Sequence, residues 1–586
     1  MKDLGLMAPR RRRSRRLSAW VGWLVLAALL VIVWQAGAWY VGVRGLDWSI
    51  RHGIALQRDA STPAELSAAL ALWERETGRY WRDQPARLVT RIFARHALAE
   101  PEVRRLLVFM TGADYGERVE DWRRWLADQH RLSTGQQPEL PRRQRVVLEP
   151  LWSAPVGLTL SFSTILPMDG GIYVASCGRA YDDAGDDADG VVHVHARTGQ
   201  ASYLFIPDQA GPRDILGLAL ADGRLIAACR NGMIYAVGFD GGVQWRAAAG
   251  AKLASSPLVF ESGERGPSLV AVVTETGKVV AINAANGRTV WVADVVSPGL
   301  RSASAAAQAA ASEPRLSASL ALGDLVGDGK PELIVMSAGG ELRALAPDRG
   351  RVLLKRGGQS GGLAGLVFGG GGARQPQAFT ADLEGGVWAV YRTAAGVQVA
   401  PIAQLGARGP SGFVAPLRLA AREELADVVA CLSGRAGELP GALARLRGPE
   451  LQWRYPLPGC AWGAPAVADL NGDGRVELAA TSFGRDARGE LAGWLDIVSL
   501  EGHCLLRARL PAPAEAGPVV ADVDGDGRVE VLVADRAGML HCYRAAALGP
   551  IEWGLLGGDP RNTRHAANAY AFSQTPFGRQ KRWTPR

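Results

Sequence analysis

Charge disappears from the chain between Leu17 and Val43. Those 27 residues hold no Asp, Glu, Lys or Arg, and a helix rising about 1.5 Å per residue would reach about 40 Å, enough to cross a hydrocarbon core about 30 Å thick. Trp20 and Trp23 stand near one end of the run and Trp34, Trp39 and Tyr40 near the other, where amphipathic rings settle at headgroup level. The pattern predicts a transmembrane helix over 17–43 behind a basic cytoplasmic tail over 1–16. Ala36-Gly37-Ala38 would also suit signal-peptide cleavage, but the apolar run and its aromatic residues continue past that point, which favours an uncleaved anchor. Positive residues stay inside. The expectation is a single-pass protein of the cytoplasmic (inner) membrane with its body in the periplasm or outside the cell.

From 44 to 135 the apolar positions follow a helical period. Thr62-Pro63-Ala64-Glu65 is a capping box with proline at the first helical position, and Leu66, Leu70 and Trp73 recur at i, i+4 and i+7. Leu88, Ile92 and Phe93 mark a second helix, Val103, Leu106, Leu107 and Met110 a third, and Val119, Trp122 and Leu126 a fourth. The bland expectation for this segment is a membrane-proximal helical stalk. A Pro-containing linker over 136–143 ends it. Beyond the linker the period becomes two, with strand centres near Ile172, Leu225, Leu269, Glu332, Gln377, Asp427, Val476 and Val529. Their mean step is about 51 residues, the length of one four-stranded propeller blade with its loops. Trp152 to Thr164, Trp245 to Pro257 and Trp453 to Pro465 are each separated by 12 residues, so a connector of fixed length leads from one unit to the next. Eight units fit over 144–565, with seven as the alternative, and Val146 to Trp152 can supply a closing strand to the last. Residues 566–586 form a tail.

One sentence of sequence recurs inside these units. Val520-Ala521-Asp522-Val523-Asp524-Gly525-Asp526-Gly527-Arg528-Val529-Glu530 is repeated 53 residues earlier around Asp469, and a worn copy surrounds Asp324. Oxygen ligands at alternate positions let a backbone wrap one hard cation, and the glycines permit the tight curve. The candidate metal ligands are Asp522, Asp524, Asp526, the Arg528 carbonyl and Glu530; Asp469, Asn471, Asp473, the Arg475 carbonyl and Glu477; and Asp324, Asp328 and Glu332, where Val326 replaces one ligand. An EF-hand would need Glu at the twelfth loop position, where Val533 and Ala480 stand. The bland alternative is an Asp-Gly turn closed by its own hydrogen bonds.

Thr276-Gly277-Lys278-Val279-Val280-Ala281-Ile282-Asn283, followed by Gly287 and a strand-ending Trp291, resembles the repeats of the PQQ-like propeller family. The Asp-Gly-rich copies resemble FG-GAP or VCBS repeats, whose loops hold calcium. Leu107 to Gly116 followed by Trp122 to Leu126 is similar to a turn and helix of HEAT-like domains. Trp553 to Thr563 resembles the closing segment of such propellers. The resemblances imply a mainly β fold: an eight-bladed propeller preceded by one transmembrane helix and a small α-helical region, with structural calcium.

Charge changes the picture little. The formal net charge is +8, but Lys2, Arg10 to Arg13, Arg15 and Arg16 outweigh Asp3 by six in the first 16 residues, so the body is nearly neutral and no nucleic acid is expected as a partner. Six cysteines are too sparse for a disulfide framework; Cys177, Cys229 and Cys431 end similar strands and suit a small apolar position. The acidic run Asp182, Asp183, Asp186, Asp187 and Asp189 suits a solvated loop, and His193 and His195 an ordinary strand face. The expected function is a membrane-anchored scaffold or adhesion module binding an unidentified protein or glycan, not an enzyme. The alternative is a quinoprotein dehydrogenase. Enzymes of that family generally carry a vicinal disulfide over the cofactor, and this chain has no adjacent cysteines, so no PQQ is expected.

Overall fold

The structure, a computed structural model, describes residues 43–111 except 59, 61–62 and 82–84, a few positions between 119 and 131, and residues 145–564 with breaks, the longest at 296–317, 357–366, 369–375, 405–412, 418–426 and 433–440, together with Asn568. The transmembrane helix expected over 17–43 lies outside the described residues but for Val43, as do the basic tail and the linker. Among the described residues no helix is long and apolar enough to cross a membrane.

The first unit is helical, as its period predicts. Helices α1 (43–58), α2 (Pro63–Thr77), α3 (Pro85–Arg95) and α4 (Pro101–Thr111) bury Ile50, Trp73, Leu88, Ile92, Val103, Leu106 and Leu107 together with Trp122. Trp73 stacks on Trp81 at 4.8 Å between ring centroids and donates its indole N–H to the Ser49 carbonyl at 2.8 Å. This unit does more than precede the ring. Helix α2 packs on the strand Gly396–Gln404 and helix α4 on Glu450–Pro456, the outer strands of two neighbouring blades. Arg454 joins them, 3.4 Å from Glu74 of α2 and over the Phe109 ring of α4. Burying the guanidinium stem between an aromatic face and a carboxylate couples the helical unit to the propeller.

Eight antiparallel sheets follow, so eight blades form and not seven. Their first strands, Ile165–Met168, Ile215–Ala221, Leu258–Glu261, Ala318–Gly323, Val367–Phe368, Phe413–Leu417, Ala466–Ala468 and Val519–Ala521, belong to blades 1 to 8 in that order. From blade 2 to blade 8 each first strand touches the next, which places these strands around the axis. Second strands such as Arg224–Cys229 and Ser268–Val273 are buried along nearly their whole length, which explains their unbroken apolar runs. Outer strands such as Thr289–Asp294 are largely exposed.

Closure comes from the beginning of the domain. Leu148–Pro155 pairs antiparallel with Met539–Ala545 as the outer strand of blade 8, with Ser153 opposite His541. The closing strand thus runs to Pro155, three residues past its predicted end. Blade 8 then packs on blade 1 through Ala521, Leu532 and Leu540 against Ile165 and Val174. In four of the eight blades the outer strand carries a tryptophan that lies on the glycine turn of the next blade. Trp152 meets Gly199, Trp245 meets Gly287, Trp291 meets Gly350 and Trp453 meets Gly502, where an added Cβ would come within 2.4–2.9 Å of the indole. Each of these glycines has φ between 64° and 87°, and each indole N–H donates to a backbone carbonyl of the same turn at 2.8–3.0 Å. All six cysteines are buried and free.

The joint predicts its own mutational signature. Trp453, 2% exposed, replaced by Ala should cost about 3–5 kcal/mol, and Gly502→Ala, which meets both a left-handed backbone and the indole, about 1–3 kcal/mol. Equilibrium denaturation of the two variants measures this. A change under about 0.5 kcal/mol, the ordinary surface value, in either would refute the joint's role.

Candidate functional site

The three acidic loops all connect the first and second strands of their blades, so antiparallel pairing puts them on one face of the ring. In blade 8 the loop is held by its own carboxylates. Asp522 accepts from the N–H groups of Gly525 (2.8 Å) and Gly527 (3.1 Å), Asp524 from that of Asp526 (3.1 Å), and Asp526 from that of Arg528 (2.8 Å). Gly525 and Gly527 have φ of 74° and 87°, which supplies the curve. Glu530, at the head of the second strand, reaches back to the Val523 N–H at 3.0 Å. Carboxylate oxygens of Asp522, Asp524 and Glu530 converge within 4.8 Å of one another. Burial pushes the Glu530 carboxyl up to about 7. A cation already stands beside them: the Arg544 guanidinium lies 2.8 Å from Asp524, and 3.1 Å from Asp526 and from Glu530.

Blade 7 repeats the scaffold with different electrostatics. Asp469 accepts from Gly472 (2.6 Å) and Gly474 (2.9 Å), Asp473 from Arg475 (2.8 Å), and Glu477 from Leu470 (2.7 Å). Here Asn471 donates its amide to Glu477 at 3.1 Å, and the Arg475 side chain turns away to Glu501. Burial, ahead of the neighbouring Asp469 and Asp473, pushes Glu477 up to about 8. In blade 4, where the sequence is worn, the oxygens of Asp324, Asp328 and Glu332 still converge within 4.8 Å. Val326 points outward and Arg392 stands 3.7 Å from Asp324. Among the described residues, carboxylates from three side chains converge in the loops of blades 4 and 8, while in blade 7 an amide fills that role.

The axis holds the second feature. The strand Ile551–Trp553 adds to blade 7 beside Ala466–Ala468, and the chain then crosses the ring. Gly554 accepts from Val520 of blade 8, Pro560 from Leu220 of blade 2, Arg561 from Val259 of blade 3, Thr563 from Leu322 of blade 4 and Arg564 from Phe368 of blade 5, at 2.7–2.9 Å. These N–H groups belong to the free inner edges of the first strands. Buried edges need partners, and residues 554–564 supply them, filling the channel. Asn562, at φ 57°, donates to the carbonyls of Leu218 and Pro257, both at 2.8 Å. Asp559 is wholly buried. Burial pushes its carboxyl up to about 6 against hydrogen bonds from Thr563 and Arg561.

A third arrangement was invisible in the sequence. Ser153 of the closing strand lies 2.8 Å from His541 Nδ1, and His541 Nε2 lies 2.8 Å from Asp535, which also accepts from Ala537 and Met539. Hydroxyl, imidazole and carboxylate stand in the order that activates a nucleophile, but Ser153 faces His541 across an outer sheet edge, and the chain of bonds pins the closing strand to the hairpin turn of blade 8. The partners are 388 residues apart, so no local signal announces them. Of the acidic insertion, Asp182 and Asp183 lie outside the described residues; Asp186 accepts from Arg179 and Ala188, and Asp187 pairs with Arg179. His193 packs on Tyr173, and His195 contacts Thr198.

Asp559 carries a pH signature. Its neutral form is favoured in the folded state, so its contribution is full below the unfolded value of 3.8 and is lost as pH rises through about 6, on the order of 3 kcal/mol. The difference in stability between wild type and Asp559→Asn, measured by thermal melting from pH 3.5 to 7.5, should shrink in favour of the variant across that window. A gap that is constant with pH would contradict it.

Comparison with known proteins agrees with this architecture. A family model described as outer membrane protein assembly factor BamB, of the PQQ-like kind, matches residues 187–362. Among curated proteins no relative matches. The solved structures similar to this chain include BamB from Moraxella catarrhalis (14% identity, TM-score 0.43, 68% of this chain and 100% of that one). They also include quinohemoprotein alcohol dehydrogenase from Comamonas testosteroni (15%, 0.43, 69% and 77%) and Sqt1 from Saccharomyces cerevisiae (10%, 0.45, 68% and 99%). The chain is an eight-bladed β-propeller that carries PQQ-like repeats over residues 187–362.

Proposed function

We propose that this protein is a membrane-anchored, extracytoplasmic scaffold whose propeller binds a protein partner and whose acidic loops are braced by calcium. The observation that carries the binding role is the filled axis. A quinone cofactor of the dehydrogenase alternative would need the channel that residues 554–564 occupy, so the surfaces left for recognition are the two faces and the rim. The matched family model, described as that of an assembly factor, supports a protein over a glycan as the partner. The anchor rests on the uncharged run from Leu17 to Val43.

Calcium suits the loops chemically, because six to eight hard oxygen ligands are what it takes. Residues to hold it are Asp469, Asn471, Asp473 and Glu477 in blade 7, Asp324, Asp328 and Glu332 in blade 4, and Asp522, Asp524, Asp526 and Glu530 in blade 8. In the last, an ion competes with Arg544 for the same oxygens. Its role is structural: it joins the head of the second strand to the turn before it.

Two measurements test the proposal. Full-length protein should melt lower with a chelator and recover with calcium, and the calcium-dependent rise should be larger in Arg544→Met, which frees three carboxylates; equal melting with and without chelator would reject the ion. Crosslinking in native membranes followed by affinity purification should retain one stoichiometric protein partner. Alcohol-dependent dye reduction after loading with PQQ and calcium would instead establish the dehydrogenase.

A further inference from the structure

The filler of the channel leaves one small cavity, of about 20 Å³, where it meets the beginnings of the first strands of blades 1, 3 and 4. It lies towards the face opposite the acidic loops, because the chain enters each first strand there. A space of about 10–15 Å³ admits one water, so this one has room for a group about the size of a carboxylate.

Its lining mixes apolar side chains, among them Leu258, Leu320 and Leu556, with polar ones. Arg564 lines it at φ 52°, a left-handed conformation that a non-glycine residue holds only when its surroundings enforce it. The guanidinium has no hydrogen-bond or ion-pair partner among the described residues, and burial lowers its pKa to about 10 with no neighbouring charge contributing. Four hydroxyl residues share the lining with it. Thr164 accepts from the Leu218 N–H at 3.1 Å and Ser255 from the Val273 N–H at 2.9 Å. Each is an acceptor in those bonds, which leaves its own proton to give. Ser319, half-buried, has no side-chain partner among the described residues. Ser256 is already committed to the Leu216 carbonyl at 3.1 Å. Asn562 has both amide protons committed to carbonyls. No carboxylate lines the cavity, and residues 565–586 contain no Asp or Glu. A half-buried cation that lines one cavity together with hydroxyls able to donate has the composition of an oxyanion site.

We propose that this cavity binds a carboxylate group, with Arg564 as its counter-charge and Thr164, Ser255 and Ser319 as hydrogen-bond donors. The carboxylate is either that of a small free acid or the terminus of a partner's chain; both present the same head group. The site is independent of the acidic loops, which lie on the other face.

Melting of the full-length protein, followed by tryptophan emission at constant ionic strength, tests it with sodium acetate, triglycine and triglycine amide against sodium chloride. Acetate or triglycine should raise the melting temperature, and the amide and chloride should not. Greater potency of triglycine over acetate would assign the site to a chain terminus, and the reverse to a free acid. Arg564→Asn keeps a residue that tolerates the left-handed backbone, so it should melt as wild type in chloride yet lose the response, with apparent affinity down at least about tenfold. Ser319→Ala, which cannot strain the strand, should weaken the response and serves as the readout should Arg564→Asn fold poorly. Equal shifts by chloride and acetate, no shift with either acid, or an undiminished response in both variants would overturn the proposal.

Discussion

A tryptophan laid on the glycine of the neighbouring blade fastens four of the eight joints of the ring. A blade buries its two faces only when another blade stands on each side, so every interface must be reproduced at the same angle for eight sheets to close. The indole does this with area and direction together. Its face covers a glycine at φ 64–87°, and its N–H fixes the turn by a bond of 2.8–3.0 Å. The joint between blades 8 and 1 uses the same device, with Trp152 delivered by the closing strand. Loss of that strand would expose the edge of Met539–Ala545 as well as the face of blade 1.

Closing a ring creates a second demand at its centre. The inner edges of the first strands converge with N–H groups that have no strand beside them, and the chain answers with its own residues 554–564. Filling the axis makes the propeller a solid body. It leaves the face of acidic loops, the opposite face with the small cavity, and the rim, part of which the helical unit already covers through Arg454, Glu74 and Phe109.

Carboxylates recur at the loops because one geometry serves two purposes. Each aspartate in the pattern closes a turn by accepting backbone N–H groups, and the remaining oxygens face inward where like charges repel. Glu530 and Glu477 are pushed up to about 7 and about 8 chiefly by burial. Blade 8 relieves the repulsion with Arg544, blade 7 with the amide of Asn471, and blade 4 in part with Arg392. Similar sequences therefore present three different electrostatic environments.

The sequence by itself determined what is periodic and local. Strand alternation at a step of about 51 residues, the 12-residue connectors and the glycine-bearing acidic turns each state a backbone conformation in residues that are neighbours in the chain, and the structure places eight blades and three loops where they predict. The closing strand was legible because a ring with a missing outer strand needs one. What only tertiary structure decided lies between distant residues. Arg544 among the carboxylates of a loop some 20 residues away, Ser153 bonded to His541, and Arg564 beside the hydroxyls of blades 1, 3 and 4 follow from no spacing. The packing of α2 and α4 on two outer strands was equally hidden, since an amphipathic stripe states that a helix buries one side and not which surface receives it. Local pattern encodes conformation, whereas a partner's charge acts through space and becomes definite only when the chain has closed.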